Sequence, residues 1–213
     1  LNFRTTGAID DAAYDVLPED DALVADLLAQ GFILGWAHGR YEIGPRALGN
    51  RSILAAPFRD ETRVRLNEIK QREQFRPIAP VCLQEDAKTW FGCDGESPHM
   101  LYTFRATTSD LRAVTHVNGT ARLQTVTAKS NPRLHRLLVA FKAVTGYGVL
   151  CNTSLNFKGK GFINNLTDLA AYTAEHGLDG FVAESGVYVR KASERYQAYR
   201  GSTRPQALAE TLR

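Results

Sequence analysis

Four short stretches of this 213-residue chain combine residue types and spacings able to do chemistry. The densest runs from Gly39 to Ser52 and reads GRYEIGPRALGNRS, with Arg40, Arg46 and Arg51 standing among glycines and a proline. Glycine lets backbone approach a ligand closely, and a guanidinium fork matches the paired oxygens of a phosphate or carboxylate. The same composition equally suits a structural loop whose arginines pair with carboxylates elsewhere. The second stretch, Lys70–Pro77, places Lys70, Arg72 and Arg76 just before an apolar run. It fits a loop whose cations converge on a polyanion, or a solvated helix end where bases offset the dipole. The third, His116–Gln124, holds a tight-turn Asn118-Gly119, with Arg122 and Gln124 on one face if Leu123 lies in a strand. His116 on its own reads more readily as a packed, hydrogen-bonded residue than as a catalyst. The fourth, Cys151–Gly161, sets Asn152, Thr153, Ser154 and Asn156 with Lys158 and Lys160 after an apolar Val149–Cys151 run. Hydroxyl and amide donors at a strand end suit phosphate and ribose oxygens; the bland alternative is a polar turn bonded to its own backbone.

These stretches need elements to hold them. Leu23, Val24, Leu27 and Leu28 recur at helical spacing between Asp20 or Asp21 and Gln30, with Gly31 as a stop. Phe32–Trp36 and Ile53–Ala56 read as buried strands flanking a loop over Glu42–Ser52. Arg59–Ile69 is helical in character, with Val64, Leu66 and Ile69 as inward positions. Ile78–Leu83 reads as a strand, Asp86–Phe91 as a helical turn, and Tyr102–Arg105, Val114–His116 and Leu123–Val126 as short strands. Asn131-Pro132 opens a helix that Gly146 ends, and Thr167–His176 is a further helix closed by Gly177. Val149–Cys151, Phe181–Ala183 and Gly186–Val189 complete the strand set. Strands and helices intermingle without strict alternation, so the expected fold class is α/β (α+β) with a mixed sheet. Residues 1–20 are expected to form a linker, 21–191 the domain, and 192–213 a polar, basic tail.

Composition narrows the classes. The net charge of +3, with acids and bases interspersed, argues against a general nucleic-acid coat. Cys82, Cys93 and Cys151 form no CxxC pattern, which speaks against a disulfide framework or structural zinc and for a reducing cytoplasm. Cys151 has no His–Asp partner set and reads as a small buried hydrophobe. No apolar run is long enough to span a bilayer and no secretory signal is present. Walker A, GxGxxG and GxSxG patterns are absent, so a nucleotide site here would be built from dispersed cations. The chain opens on Leu1 and its one methionine is Met100, which points to a segment of a longer protein.

In series, the four blocks resemble the C-terminal region of the O-carbamoyltransferases of antibiotic and nodulation-factor biosynthesis. Gly39–Leu54, Lys70–Pro80, His116–Val126 and Asn152–Asn156 match in order and spacing, and the likeness runs from about Val24 to Lys191. The run GPRALGNRSILA is its most specific part; one departure is Asn118, where relatives often carry Asp. That family's C-terminal domain is similar to the YrdC/Sua5-like fold, marked by KxR and, much later, SxN. Lys70-Gln71-Arg72 and Ser154-Leu155-Asn156 fill those patterns. The resemblance implies a twisted mixed sheet flanked by helices with a concave basic pocket. It implies that ATP and carbamoyl phosphate react there to carbamoyl-adenylate and pyrophosphate. A separate ATPase-like N-terminal domain bearing a metal site would then pass the carbamoyl group to an acceptor hydroxyl. On this basis Lys70, Arg72 and Arg76 are expected to hold phosphates, and Ser154 and Asn156, with Asn152 beside them, to orient the triphosphate. Arg46 and Arg122 complete the anion pocket, and Arg51 is a further candidate. Mg²⁺ would accompany ATP, held mostly by phosphate oxygens and water, with no protein metal site in this chain. Two competing readings are a YrdC-like RNA- or nucleotide-binding module and a regulatory domain without turnover.

Overall fold

The computed structural model describes residues 3–5, 7, 9–157 and 161–202. Helix α1 (Asp21–Ala29) follows strand β1 (Tyr14–Leu17) and starts where the Asp20 carboxylate accepts the Ala22 N–H at 2.8 Å. Its buried stripe is Val24, Leu27 and Leu28, as the helical spacing requires. Strands β2 (Leu34–Ala37) and β3 (Arg51–Ala55) pair antiparallel on either side of the arginine loop. After α2 (Asp60–Ile69) come β4 (Ala79–Leu83), the short helix α3 (Ala87–Phe91), β5 (Phe104–Arg105), β6 (Thr120–Ala121) and β7 (Gln124–Val126). Helix α4 (Pro132–Thr145) starts at Asn131, whose side chain accepts the Leu134 N–H, and stops at Gly146 in the left-handed region. The chain closes with β8 (Val149–Ser154), β9 (Asn156–Phe157), β10 (Gly161–Phe162), α5 (Leu166–His176), β11 (Gly180–Ala183), β12 (Gly186–Arg190) and α6 (Glu194–Gly201).

Eight strands form one mixed sheet in the order β1-β12-β11-β2-β3-β8-β4-β7. The β11–β2 and β4–β7 pairs are parallel and the others antiparallel. Alternate residues of each strand enter opposite cores, as the two-residue side-chain period demands. Ile53, Ala55, Cys151 and Phe181 pack with Leu66, Phe91 and Leu169 of α2, α3 and α5. Leu54, Leu150 and Val182 pack with Leu27, Leu137 and Tyr196 of α1, α4 and α6. The result is the expected mixed α/β architecture, with the sheet sandwiched between helices. Burying each large apolar side chain in these cores contributes about 2 kcal/mol.

Several local expectations are corrected. The 1–20 linker contains β1, which pairs with β12 along its whole length and buries Tyr14 and Leu17. Four residues give too little alternation to announce a strand. The polar tail contains α6, whose packing rests on Tyr196 and Tyr199 alone, too narrow a stripe to stand out in a basic sequence. Residues 203–213 lie outside the described residues. Val114–His116 is not a strand; a 3-10 turn, Arg112–Val114, occupies its start, because Leu111 and Val114 both point into the core. Val64 lies on the outer side of α2, leaving Leu66 and Ile69 as its apolar anchors. Arg51 and Ser52, read as loop, already belong to β3. Among the described residues no helix is long and apolar enough to cross a membrane.

Candidate active site

The C-terminus of α2 and the end of β8 meet. Lys70 caps α2, and Gln71 at φ 48° turns the chain sharply so that Arg72 and Arg76 follow on the same side. Lys70 Nζ donates to the Ser154 carbonyl at 2.6 Å and to Asn156 Oδ1 at 3.0 Å, joining the two distant motifs directly. Around this contact lies a cavity of about 270 Å³ lined by Lys70, Arg72, Arg76, Ser154 and Asn156. Its far wall is Tyr172 and His176 of α5, whose rings lie 4.3 Å apart. Arg76 is exposed and paired with Glu73 at 2.9 Å.

Asn67 holds this turn and was missed from the sequence. It is fully buried, accepts Arg72 Nε at 2.6 Å, and donates to the carbonyls of Gln74 and Arg76 at 3.3 and 3.0 Å. The signal was there: a polar residue beside Leu66 and near Ile69 on the inward face of a helix needs a buried partner.

The cations crowd one another. Burial, then the Arg72 charge, lowers the Lys70 ammonium to about 8. Burial first, then Arg76 and Arg122, pulls Arg72 down, and burial followed by Arg46 does the same to Arg122. Arg72 Nη2 and Arg122 Nε are buried without a hydrogen-bond partner among the described residues. A group of half-buried cations that raise one another's free energy is stabilised by an anion with several oxygens.

The arginine loop is anchored from within the sheet. Asn152 Nδ2 donates to the Ala47 carbonyl at 3.0 Å and to Gln124 Oε1 at 2.8 Å, while Gln124 Nε2 donates to the Leu48 carbonyl at 2.8 Å. Trp36 Nε1 holds the Gly49 carbonyl at 2.8 Å. Gly49 has φ 108°, and a Cβ there would come within 2.4 Å of the Leu134 side chain, so any other residue would be strained. Glu42 accepts the backbone N–H groups of Leu48, Asn50 and Arg51 at 3.1, 2.6 and 3.2 Å.

Of the expected site residues, Lys70, Arg72, Arg76, Ser154 and Asn156 share the cavity, with Arg122 and Arg46 within electrostatic reach. Arg46 is exposed and bonded to the Pro45 carbonyl. Asn152 does not line the cavity; it ties down the loop. Arg51 is a structural residue. It is 2% exposed, donates to the carbonyls of Ile163, His38, Asn50 and Gly39, and lies 5.0 Å over the Phe3 ring. Lys158 and Lys160 lie outside the described residues. Cys82, Cys93 and Cys151 are free and buried.

Among the described residues no three His, Cys, Asp or Glu side chains are grouped to hold a metal ion. The donor set of this pocket is cationic and does not fit Mg²⁺ as a resident cofactor; such an ion would arrive on the oxygens of a nucleotide.

Fold and pocket together define a mixed α/β domain with a cation-lined cavity. The chain belongs to the family described as carbamoyltransferase C-terminus, whose model matches residues 25–191. It is 52% identical over 191 residues to a 3'-hydroxymethylcephem-O-carbamoyltransferase of Amycolatopsis lactamdurans, a match covering 89% of this chain and 37% of that protein. It is 43% identical to nodulation protein NolO of Bradyrhizobium diazoefficiens, covering 79% of this chain and 32% of that protein. The chain thus spans about a third of the length of these relatives. A crystal structure of full-length HypF in the phosphate- and nucleotide-bound form shares the fold at TM-score 0.50 and 14% identity. That match covers 87% of this chain and 22% of HypF.

Proposed function

We propose that this domain makes carbamoyl-adenylate and pyrophosphate from ATP and carbamoyl phosphate, within a longer enzyme that transfers the carbamoyl group to an acceptor hydroxyl. The observation that carries this reading is the Lys70 bridge between Ser154 and Asn156, with Arg72 and Arg76 around the same cavity. Water splits carbamoyl phosphate to carbamate and phosphate. A carbamate oxygen then attacks the α-phosphorus of ATP, and pyrophosphate leaves with the electron pair. Both steps call for placed positive charge rather than a protein nucleophile, and the carbamate and its adenylate, once formed, need shielding from bulk water. The cysteines suit no such role, because burial pushes the Cys151 and Cys82 thiols well above their usual range. Lys70 and Arg72 would neutralise the β- and γ-phosphates, with Arg76, Arg122 and Arg46 holding the released phosphate. Ser154 and Asn156 would orient the triphosphate. The carbamoyltransferase relative and the nucleotide-bound HypF structure support the substrate pair.

The test is pyrophosphate release with ATP and Mg²⁺, with and without carbamoyl phosphate. Release that depends on carbamoyl phosphate and falls on the order of 10²-fold in Lys70→Ala is the expected result. Full activity in Lys70→Ala or Arg72→Ala would refute the site assignment. A nucleic-acid-binding module draws on Phe75, 81% exposed between Arg72 and Arg76. It predicts instead binding of single strands that collapses steeply with salt.

A further inference from the structure

Lys70, Arg72, Arg76 and Arg122 can donate hydrogen bonds but not accept them. Such a set recognises the oxygens of carbamoyl phosphate and says nothing to its amine, whose N–H groups need an acceptor. On β8 and after it, the Ser154 carbonyl and Asn156 Oδ1 each already receive Lys70 Nζ. Glu73 is engaged by Arg76.

The turn before Arg122 supplies another. Asn118 Oδ1 accepts the Thr120 N–H at 3.2 Å, which fixes that end of the amide as oxygen. Thr120 Oγ1, 2.7 Å from the same oxygen, therefore gives its single proton to Asn118. Its lone pairs then face His116 Nδ1 at 3.0 Å, so Nδ1 carries a hydrogen and donates. In a neutral ring this leaves His116 Nε2 as a lone-pair acceptor. Nε2 is buried and has no hydrogen-bond partner among the described residues, and the same holds for Arg122 Nε. Burial, and after it the Arg122 charge, lowers the His116 pKa and keeps the ring neutral near pH 7. The backbone of the turn holds independently of the ring: His116 N–H donates to the Thr120 carbonyl at 2.7 Å and Gly119 N–H to the His116 carbonyl at 2.9 Å.

We propose that His116 Nε2 accepts an N–H of the carbamoyl amine beside Arg122, and so selects carbamoyl phosphate over acyl phosphates that lack the amine. This rests on the carbamoyl phosphate reading above. His116 would be a specificity residue, paired with cations that read only the anion. An acetyl group offers a methyl in place of the amine and would leave the acceptor unmet, a larger loss than that of favourable contact alone.

The experiment compares direct binding of carbamoyl phosphate and of acetyl phosphate to the unmodified chain, to His116→Ala and to His116→Gln, with melting curves to check folding. The unmodified chain is expected to prefer carbamoyl phosphate about tenfold or more. His116→Ala is expected to lose that preference with acetyl phosphate binding unchanged, and His116→Gln, whose side-chain oxygen is again an acceptor, to regain part of it. Equal affinity for the two ligands in the unmodified chain, or equal weakening of both in a folded His116→Ala, would overturn the proposal, as would failure to bind either ligand. Discrimination without carbamoyl phosphate-dependent pyrophosphate release would leave the subsite standing and refute the adenylation reading instead.

Discussion

Lys70 shows how one side chain can work against stability and for binding. Burial, then the Arg72 charge, holds its ammonium to about 8, below the ordinary lysine value of 10.5. Between those two values the unfolded chain keeps a proton that the folded chain has released, so stability of the free protein rises with pH across this interval. Anion affinity runs the other way, because it needs the charged form and falls as pH passes about 8. A bound polyphosphate raises the lysine pKa again, so binding near pH 8 should take up a proton. Calorimetry of pyrophosphate binding in buffers of different ionisation enthalpy should show that uptake, and Lys70→Met should abolish it. The residue types of the site were legible in the sequence because cations beside glycine and proline are conspicuous. Their fates were not. Arg46 and Arg51 look alike in one loop, yet one is exposed and the other is consumed by four backbone carbonyls. Carbonyl acceptors carry no sequence label, so only the folded path of the chain decides which guanidinium they capture.

Among the elements, the arginine loop depends on a residue that is not a cation. Glu42 meets three backbone N–H groups that would otherwise lack partners. Glu42→Ala should cost about 1–3 kcal/mol in stability and weaken substrate binding about as much as Arg46→Ala. If Glu42 acts by presenting Arg46, the double variant should bind little worse than either single one, and Glu42→Gln should fall between. Additive losses would show that Glu42 supports the fold without placing Arg46. The helices α1 and α4 were legible because a capping Asp or Asn opens each, at Asp20 and Asn131, and α5 because Gly177 stops it. β1 and α6 escaped notice because each draws its order from a partner distant in sequence.

At the scale of the whole molecule, those two unannounced elements hold each other. Tyr196 Oη donates to Asp15 Oδ2 at 2.8 Å, and Tyr199 Oη donates to Asp26 Oδ2 at 2.7 Å. β1 and α6 thereby close over the core that contains α1 and α4. Ending the chain after Lys191, the last residue of the family match, should lower the melting temperature by several degrees even though no cavity residue is removed. Tyr196→Ala alone should cost roughly 3–5 kcal/mol. A truncated chain with unchanged melting would show that α6 is dispensable.

The grip of Trp36 on the arginine loop gives the protein its own optical gauge. Trp36 is fully buried, its indole N–H holds the Gly49 carbonyl, and the Arg133 guanidinium lies 5.7 Å over its ring. The other of the two tryptophans, Trp90, stacks on Tyr147 at 4.5 Å, away from that loop. A ligand that draws Arg46 inward is expected to disturb the Gly49 carbonyl bonded to the Trp36 indole and to leave Trp90 alone. Emission on adding carbamoyl phosphate should therefore change in Trp90→Phe and stay flat in Trp36→Phe, so that occupancy can be read from light without a label on the substrate.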